Sequence, residues 1–424
     1  MKNCIFNTLL LSVILFISTN AISQTVDKNS RMKGWQSDID TLFSIIKKEH
    51  YVYKTTPLPK EMLMKAANLK TKIAEYSDEK MLGELERLMY YLGDGHSYIL
   101  PISTKFQSFY MPIQFYIFSD GVFIIDADEP YKNLIGSKVL SIHHIPISKL
   151  INDMNYYVHQ DNKYTVKWFA PSVLRFRGVY EYYGLKAGSS EIEIELISNT
   201  KEKKTSTVLF VPATDFRGIP KLISSKIENN IPPPLYLSDV PNNFWFKKMP
   251  EKKIIYFQFN QVQDKEDRTL KYFTNKLDSV LKMEKPAIFI IDVRHNNGGN
   301  SYLLTPLLST IKNFELANLK SKIVVITGRN TFSAAQIFIS QLARDTHAIF
   351  AGEPSASKPN FVGEDNNILL PFSGAMGSIS NKYHETIAGD KRQWIEPNIP
   401  IYLSSKAYFN NQDPVLEYIL KNFK

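Results

Sequence analysis

The chain has 424 residues, a formal net charge of +9, 44% hydrophobic and 12% aromatic residues, a composition that excludes a largely disordered chain. Its single cysteine, Cys4, excludes a disulfide framework and leaves no thiolate nucleophile or metal ligand in the body of the chain. No basic run is interleaved with aromatics, so the positive charge reads as surplus lysine on a solvated surface and nucleic acid is not expected as a partner.

Lys2, the apolar run from Phe6 to Ile17 and the small residues of Ala21-Ile22-Ser23 form a secretory leader over residues 1–23. The apolar run is shorter than the roughly 20 residues a membrane span requires. Cys4 precedes it, whereas a lipid-bearing cysteine would follow. An exported protein, periplasmic or extracellular, is therefore expected, with no membrane segment after leader removal.

Residues 24–104 read as a helical segment. Trp35, Ile39, Leu42, Phe43 and Ile46 share one face at helical spacing, as do Met81, Leu85, Leu88, Met89 and Leu92. Ser77 is an N-cap candidate with Asp78 and Glu79 at the positive end of its helix, and Gly93 a left-handed stop. Residues 105–215 read as mostly short strands, clearest at Gly121 to Ile125 and in the alternating Glu191 to Leu196. The strand from Ile135 to Ile142, followed by a short helix from Pro146, resembles the middle of a PDZ domain. Residues 216–251, with Pro232, Pro233, Pro234 and Pro241, read as a linker.

Residues 252–424 alternate strands and helices. Ile254 to Phe259 and Ala287 to Val293 are continuous apolar runs, as in a sheet buried on both faces. Leu270, Phe273, Leu277 and Leu281 form a helical stripe between them. Further strands are expected at Ile323 to Thr327 and Ala348 to Gly352, with a helix from Ser333 to about Ala343 between them. Asp413-Pro414 is an N-cap and first-turn pair for a last helix. The class is α/β.

Four short elements carry residue types suited to chemistry. Thr331-Phe332-Ser333-Ala334-Ala335 puts a serine at the start of a helix, among free amides that can face a carbonyl oxygen; its ordinary role there is an N-cap. Asp292-Val-Arg-His-Asn-Asn-Gly298-Gly299-Asn300 ends a buried strand in two glycines, which permit positive φ and close backbone approach, or simply a tight turn. Asp94-Gly95-His96-Ser97 holds one of eight histidines just past a helix stop. Trp394-Ile395-Glu396-Pro397 holds a carboxylate between apolar residues, suited to orienting an imidazole or to an ordinary loop ion pair. No His-Glu-x-x-His zinc motif, Gly-x-Ser-x-Gly elbow or phosphate-binding loop occurs, and neither metal nor cofactor is expected.

Taken in order, with Ile395-Glu396-Pro-Asn-Ile-Pro400 and Asp413-Pro-Val-Leu-Glu417, these elements resemble the tricorn-core and C-terminal processing peptidase family over roughly residues 85–424. The resemblance implies a crotonase-like or ClpP-like catalytic core and hydrolysis of protein or peptide substrates. It puts Ser333 at the nucleophile, His96 at the general base, Glu396 at the acidic residue, and Gly298 or Gly299 with Ala334 at the oxyanion-hole amides. The family pattern has a serine just before the histidine, where this chain has Gly95. A rival base, Lys358, ends the segment Gly352-Glu-Pro-Ser-Ala-Ser-Lys358 and lies 25 positions after Ser333. The alternative is a protein that keeps the fold but binds a peptide or apolar ligand without turnover, as the interphotoreceptor retinoid-binding proteins do on a related fold.

Overall fold

The computed structural model describes residues 27–213 and 232–423. The expected leader at 1–23 lies outside the described residues, as do residues 216–231 of the expected linker.

The N-terminal helices form where capping and apolar spacing agree. Lys28–Glu49 buries Trp35, Ile39, Leu42 and Ile46. Asp78–Met89 starts at Ser77, whose hydroxyl accepts from Lys80 N at 3.1 Å, and its run-out ends at Gly93 with φ 73°. These helices pack on residues from the other end of the chain. Strand Tyr98–Ser103 pairs antiparallel with Ala375–Glu385, which pairs in turn with Asn360–Leu369. The fully buried Asp38 accepts from Phe372 N and Ser373 N at 2.8 and 2.7 Å, holding the tip of that hairpin.

The middle of the chain forms a second sheet, in the order Ile113–Phe118, Gly121–Ala127, Lys138–Ile142, Glu191–Ile197, Lys203–Leu209, with the short Ile145–Pro146 on Lys138–Ile142. It is not mostly short strands, because helices Ile147–Asp153, Lys163–Val173 and Arg177–Glu181 interrupt it. Lys163–Val173 begins in a reciprocal cap: Asn162 accepts from Tyr164 N and Thr165 N, and Thr165 Oγ1 accepts from Asn162 N. The helix contains Pro171, a residue that ordinarily argues against helix.

A mostly parallel six-stranded sheet runs Phe244–Met249, Ile254–Phe259, Ile288–Asp292, Lys322–Thr327, Ile349–Gly352, Ile399–Pro400. The first pair is antiparallel and the others are parallel. Every residue of Ile254–Phe259 and Ile288–Asp292 is buried, as the continuous apolar runs require. Ile255, Phe257, Phe289 and Ile291 pack with helices Leu270–Glu284, Leu304–Ala317 and Ala334–Asp345 on one face. Ile254, Tyr256, Ile288 and Ile290 pack with helix Pro414–Asn422 on the other. Phe244–Met249 falls inside the stretch read as a linker; only Phe244 of this edge strand is buried, so no alternation marked it.

The parallel sheet and the last helix are joined by one buried ionic group. Arg294 Nε donates to Asp292 Oδ1 and Oδ2 at 3.0 and 2.9 Å, and its two terminal nitrogens donate to Asp413 at 3.1 and 3.0 Å. Asp413 also caps helix Pro414–Asn422 at Leu416 N. Arg294→Ala leaves two buried carboxylates unpaired and is expected to reduce stability by about 3–5 kcal/mol. Urea unfolding at neutral pH measures this; a change below about 1 kcal/mol would mean the group is solvated.

Candidate active site

The turn after strand Lys322–Thr327 is fixed before it reaches Ser333. Thr331 Oγ1 donates to Val293 O at 2.9 Å and accepts from Gly328 N at 3.1 Å. Arg329 is buried, forks onto Glu353 with two bonds of 2.8 Å and donates to Ile117 O at 2.6 Å, tying the middle sheet to this turn. Ser333 then adopts φ 53° and ψ −123° and precedes helix Ala334–Asp345 without a side-chain cap bond. Its hydroxyl is therefore not spent as an N-cap. Its N–H donates to Ser357 Oγ at 3.3 Å.

The two glycines meet this turn. Gly298 has φ 111°, and a Cβ there would lie 2.7 Å from Ser333 Cβ and 3.0 Å from Ala334 N. Gly299 has φ 128°, and a Cβ there would lie 2.2 Å from Val262 O. Only glycine satisfies both the dihedral and the contact. Gly298 N donates to Asn296 Oδ1 at 3.0 Å. The Gly299 and Ala334 amides have no acceptor among the described residues. A partly exposed serine thus stands beside unengaged N–H groups at a helix N-terminus, an arrangement suited to holding negative charge on oxygen.

His96 enters from the N-terminal segment. Asp94 shapes its turn, with Oδ1 accepting from His96 N at 2.9 Å, Ser97 N at 2.6 Å and Ser380 Oγ at 2.9 Å. Its Oδ2 meets His50 Nε2 at 3.0 Å. Burial alone would raise the Asp94 pKa, but His50, Ser380 and the His96 amide outweigh it and hold the carboxyl at about 2. The His96 ring stacks between Phe332 at 4.3 Å and Phe361 at 5.2 Å. Neither ring nitrogen has a hydrogen-bond partner among the described residues. Burial lowers its pKa to about 4, with Asp94 pulling the other way, so the imidazole is neutral at pH 7.

The remaining expected residues lie elsewhere. Glu396 is exposed and accepts from the Trp394 indole; it makes no bond to His96, so the expected orienting contact is absent from this arrangement. Its loop runs beside helix Lys163–Val173, where its charge acts on Tyr164. The carboxylates that act on His96 are Asp94 and Glu364, the latter 3.4 Å from His384 Nε2. Lys358 reaches Gly93 O at 3.5 Å and lines a polar cavity of about 590 Å³ with Tyr90, Tyr91, Tyr156, Gln160 and Asp161; among the described residues no bond joins either Lys358 or His96 to Ser333. Asp161, His159, Ser357 and Glu364 had no local sequence signal, because their proximity depends on segments far apart in the chain. His159, buried near Tyr98 and Phe169, is also lowered to about 4 by burial.

No protein-family profile and no curated protein matches the sequence. Among solved structures, mature CPAF superposes with a TM-score of 0.62 at 14% identity over 92% of this chain and 96% of that one. CPAF complexed with lactacystin gives 0.62 at 13% identity over 90% and 96%. This chain has the CPAF fold. The photosystem II D1 C-terminal processing protease gives a TM-score of 0.40 at 10% identity over 92% of this chain and 97% of that one, too low to show a shared fold. The mixed α/β class is the one expected.

Two buried neutral histidines have a measurable consequence. The unfolded chain takes up their protons near the ordinary value of 6.5, the folded chain only near 4, so stability is lost as pH falls through that window. Histidine NMR titration is expected to leave His96 and His159 neutral at pH 5.5. A His96 midpoint near 6.5 would mean its ring is solvated.

Proposed function

We propose that the protein is an exported serine peptidase acting on protein or peptide substrates. Four supports converge: the ordered motifs, the CPAF fold, the leader-like start, and a serine hydroxyl left out of helix capping beside free amides. The last carries the reading. A serine at a helix start normally caps the helix; Ser333 instead keeps an unfavourable backbone conformation and an uncommitted hydroxyl.

In this reading Ser333 Oγ attacks the scissile carbonyl carbon. His96, neutral and without a partner on either nitrogen, accepts the hydroxyl proton as the carbon–oxygen bond forms. The Ala334 amide and the Gly298–Gly299 backbone stabilise the oxyanion. The tetrahedral species collapses as the carbon–nitrogen bond breaks, and His96 returns the proton to the leaving amine. Water then hydrolyses the acyl-enzyme by the same steps, with His96 again as base. Asp94 holds the His96 turn through backbone amides. No step requires Glu396 or Lys358. The middle domain, PDZ-like in its order of elements, takes up an extended peptide by strand addition.

The experiment is turnover of unfolded protein and of a peptide library by the mature wild type and alanine variants of Ser333, His96, Lys358 and Glu396. Ser333→Ala and His96→Ala are expected to lose about 10⁴-fold or more in kcat, while Lys358→Ala and Glu396→Ala stay within about tenfold of wild type. A Lys358→Ala loss matching Ser333→Ala would make the lysine the base. A folded wild type that cleaves nothing would favour the non-catalytic binding reading.

A further inference from the structure

Asp161 belongs to neither turn of the proposed site, yet it bonds the turn that carries His96 and acts on Ser357, the residue that receives the Ser333 amide. It is 5% exposed. Its Oδ1 accepts from Gly95 N at 3.0 Å, on the residue before His96. A Cβ on Gly95 would lie 3.1 Å from Asp161 Cγ, 3.2 Å from its Oδ2 and 3.1 Å from Phe332 Cε2. The carboxylate therefore crowds the space that a side chain at position 95 would need, and position 95 is where the family pattern carries a serine.

On the other side, the same short segment grips the 355–357 turn. Asn162 Nδ2 donates to Ser355 O at 3.2 Å, and Thr165 Oγ1 donates to Ala356 O at 2.6 Å. Ser357 Oγ accepts from Ser333 N at 3.3 Å, and the Ser357 hydroxyl favours the ionised form of Asp161. It makes no well-formed bond to Oδ2, which has no partner among the described residues.

We infer that Asp161 is a positioning residue of the proposed reaction, holding the turn that carries His96 against the turn that supports Ser333. The inference rests on the peptidase reading above. Burial first, and Asp94 with it, raise the Asp161 pKa to about 7 against the opposing pull of Lys358, the Gly95 N–H and Ser357. The charges facing it are thus Lys358 and Asp94, since burial keeps His96 and His159 neutral. With His96 titrating at about 4, an acid limb near pH 7 belongs to Asp161.

The test is steady-state cleavage of fluorescently labelled casein from pH 5 to 9 by the full mature chain, its Asp161→Asn and Ser357→Ala variants, with thermal unfolding alongside. Wild-type kcat is expected to rise through about pH 7. In Asp161→Asn this limb disappears and kcat at pH 8 falls by about tenfold or more, with KM within about twofold. A raised carboxyl pKa means that wild-type stability is lost as pH rises from about 4 to about 7. Asp161→Asn should therefore melt no lower than wild type at pH 8, whereas a merely structural role predicts a lower midpoint. Ser357→Ala, which removes a group favouring the ionised form, should move the limb upward in pH. An Asp161→Asn profile with the limb intact, or a Ser357→Ala limb that does not move, overturns the inference and leaves the peptidase reading standing. A wild type that cleaves no casein or library peptide overturns both.

Discussion

Ser333 is held at φ 53°, in a region that a residue with a side chain occupies at a cost of about 1–3 kcal/mol. The surrounding structure is arranged to keep it there. Thr331 is pinned to Val293 O, Arg329 is locked between Glu353 and Ile117 O, Ser357 receives the Ser333 amide, and Gly298 stands where any Cβ would collide with Ser333. The buried parallel sheet supplies the rigid base, since strands Ile288–Asp292 and Lys322–Thr327 end side by side and launch both the glycine turn and the serine turn. Strain at one residue is over-determined by hydrogen bonds and packing at many others.

The site also depends on contacts between distant parts of the chain. Ser333 comes from the large sheet, His96 from the N-terminal segment, and Asp161 from the middle of the chain. The N-terminal segment is not independent of the core, because Tyr98–Ser103 is a strand of the sheet formed with Ala375–Glu385. The His96 ring stacks with Phe332, next to Ser333, and with Phe361, on the Asn360–Leu369 strand. Its chemistry is therefore set by long-range packing. Folding that fails to seat the N-terminal helices on the hairpin leaves the imidazole solvated and misplaced.

That dependence explains what the sequence could reveal. Buried strands such as Ile254–Phe259 were legible because burial on both faces leaves an unbroken apolar run. The Ser77 cap and the Gly93 stop were legible because capping is local chemistry. Helix Lys163–Val173 was not, since Pro171 argues against helix and its cap pairs Asn162 with Thr165 rather than using a Ser–Glu box. The edge strand Phe244–Met249 was hidden among prolines with a single buried residue. The motifs that hold Ser333, His96 and the glycines were legible as an ordered set, and the roles given to them are the proposal. The exposure of Glu396 was not legible, because flanking apolar residues say little about burial of the carboxylate between them. Asp161 gave no signal, because its meaning lies in Gly95, 66 positions away.

The central claim is that Ser333 is an activated nucleophile. The most direct measurement is reaction of the folded mature protein with a fluorophosphonate, followed by peptide mapping of the adduct by mass spectrometry. The account predicts one adduct, on Ser333, absent from Ser333→Ala and suppressed in His96→Ala. A folded wild type that takes up no label, or a label that persists on another residue when Ser333 is replaced, would contradict it.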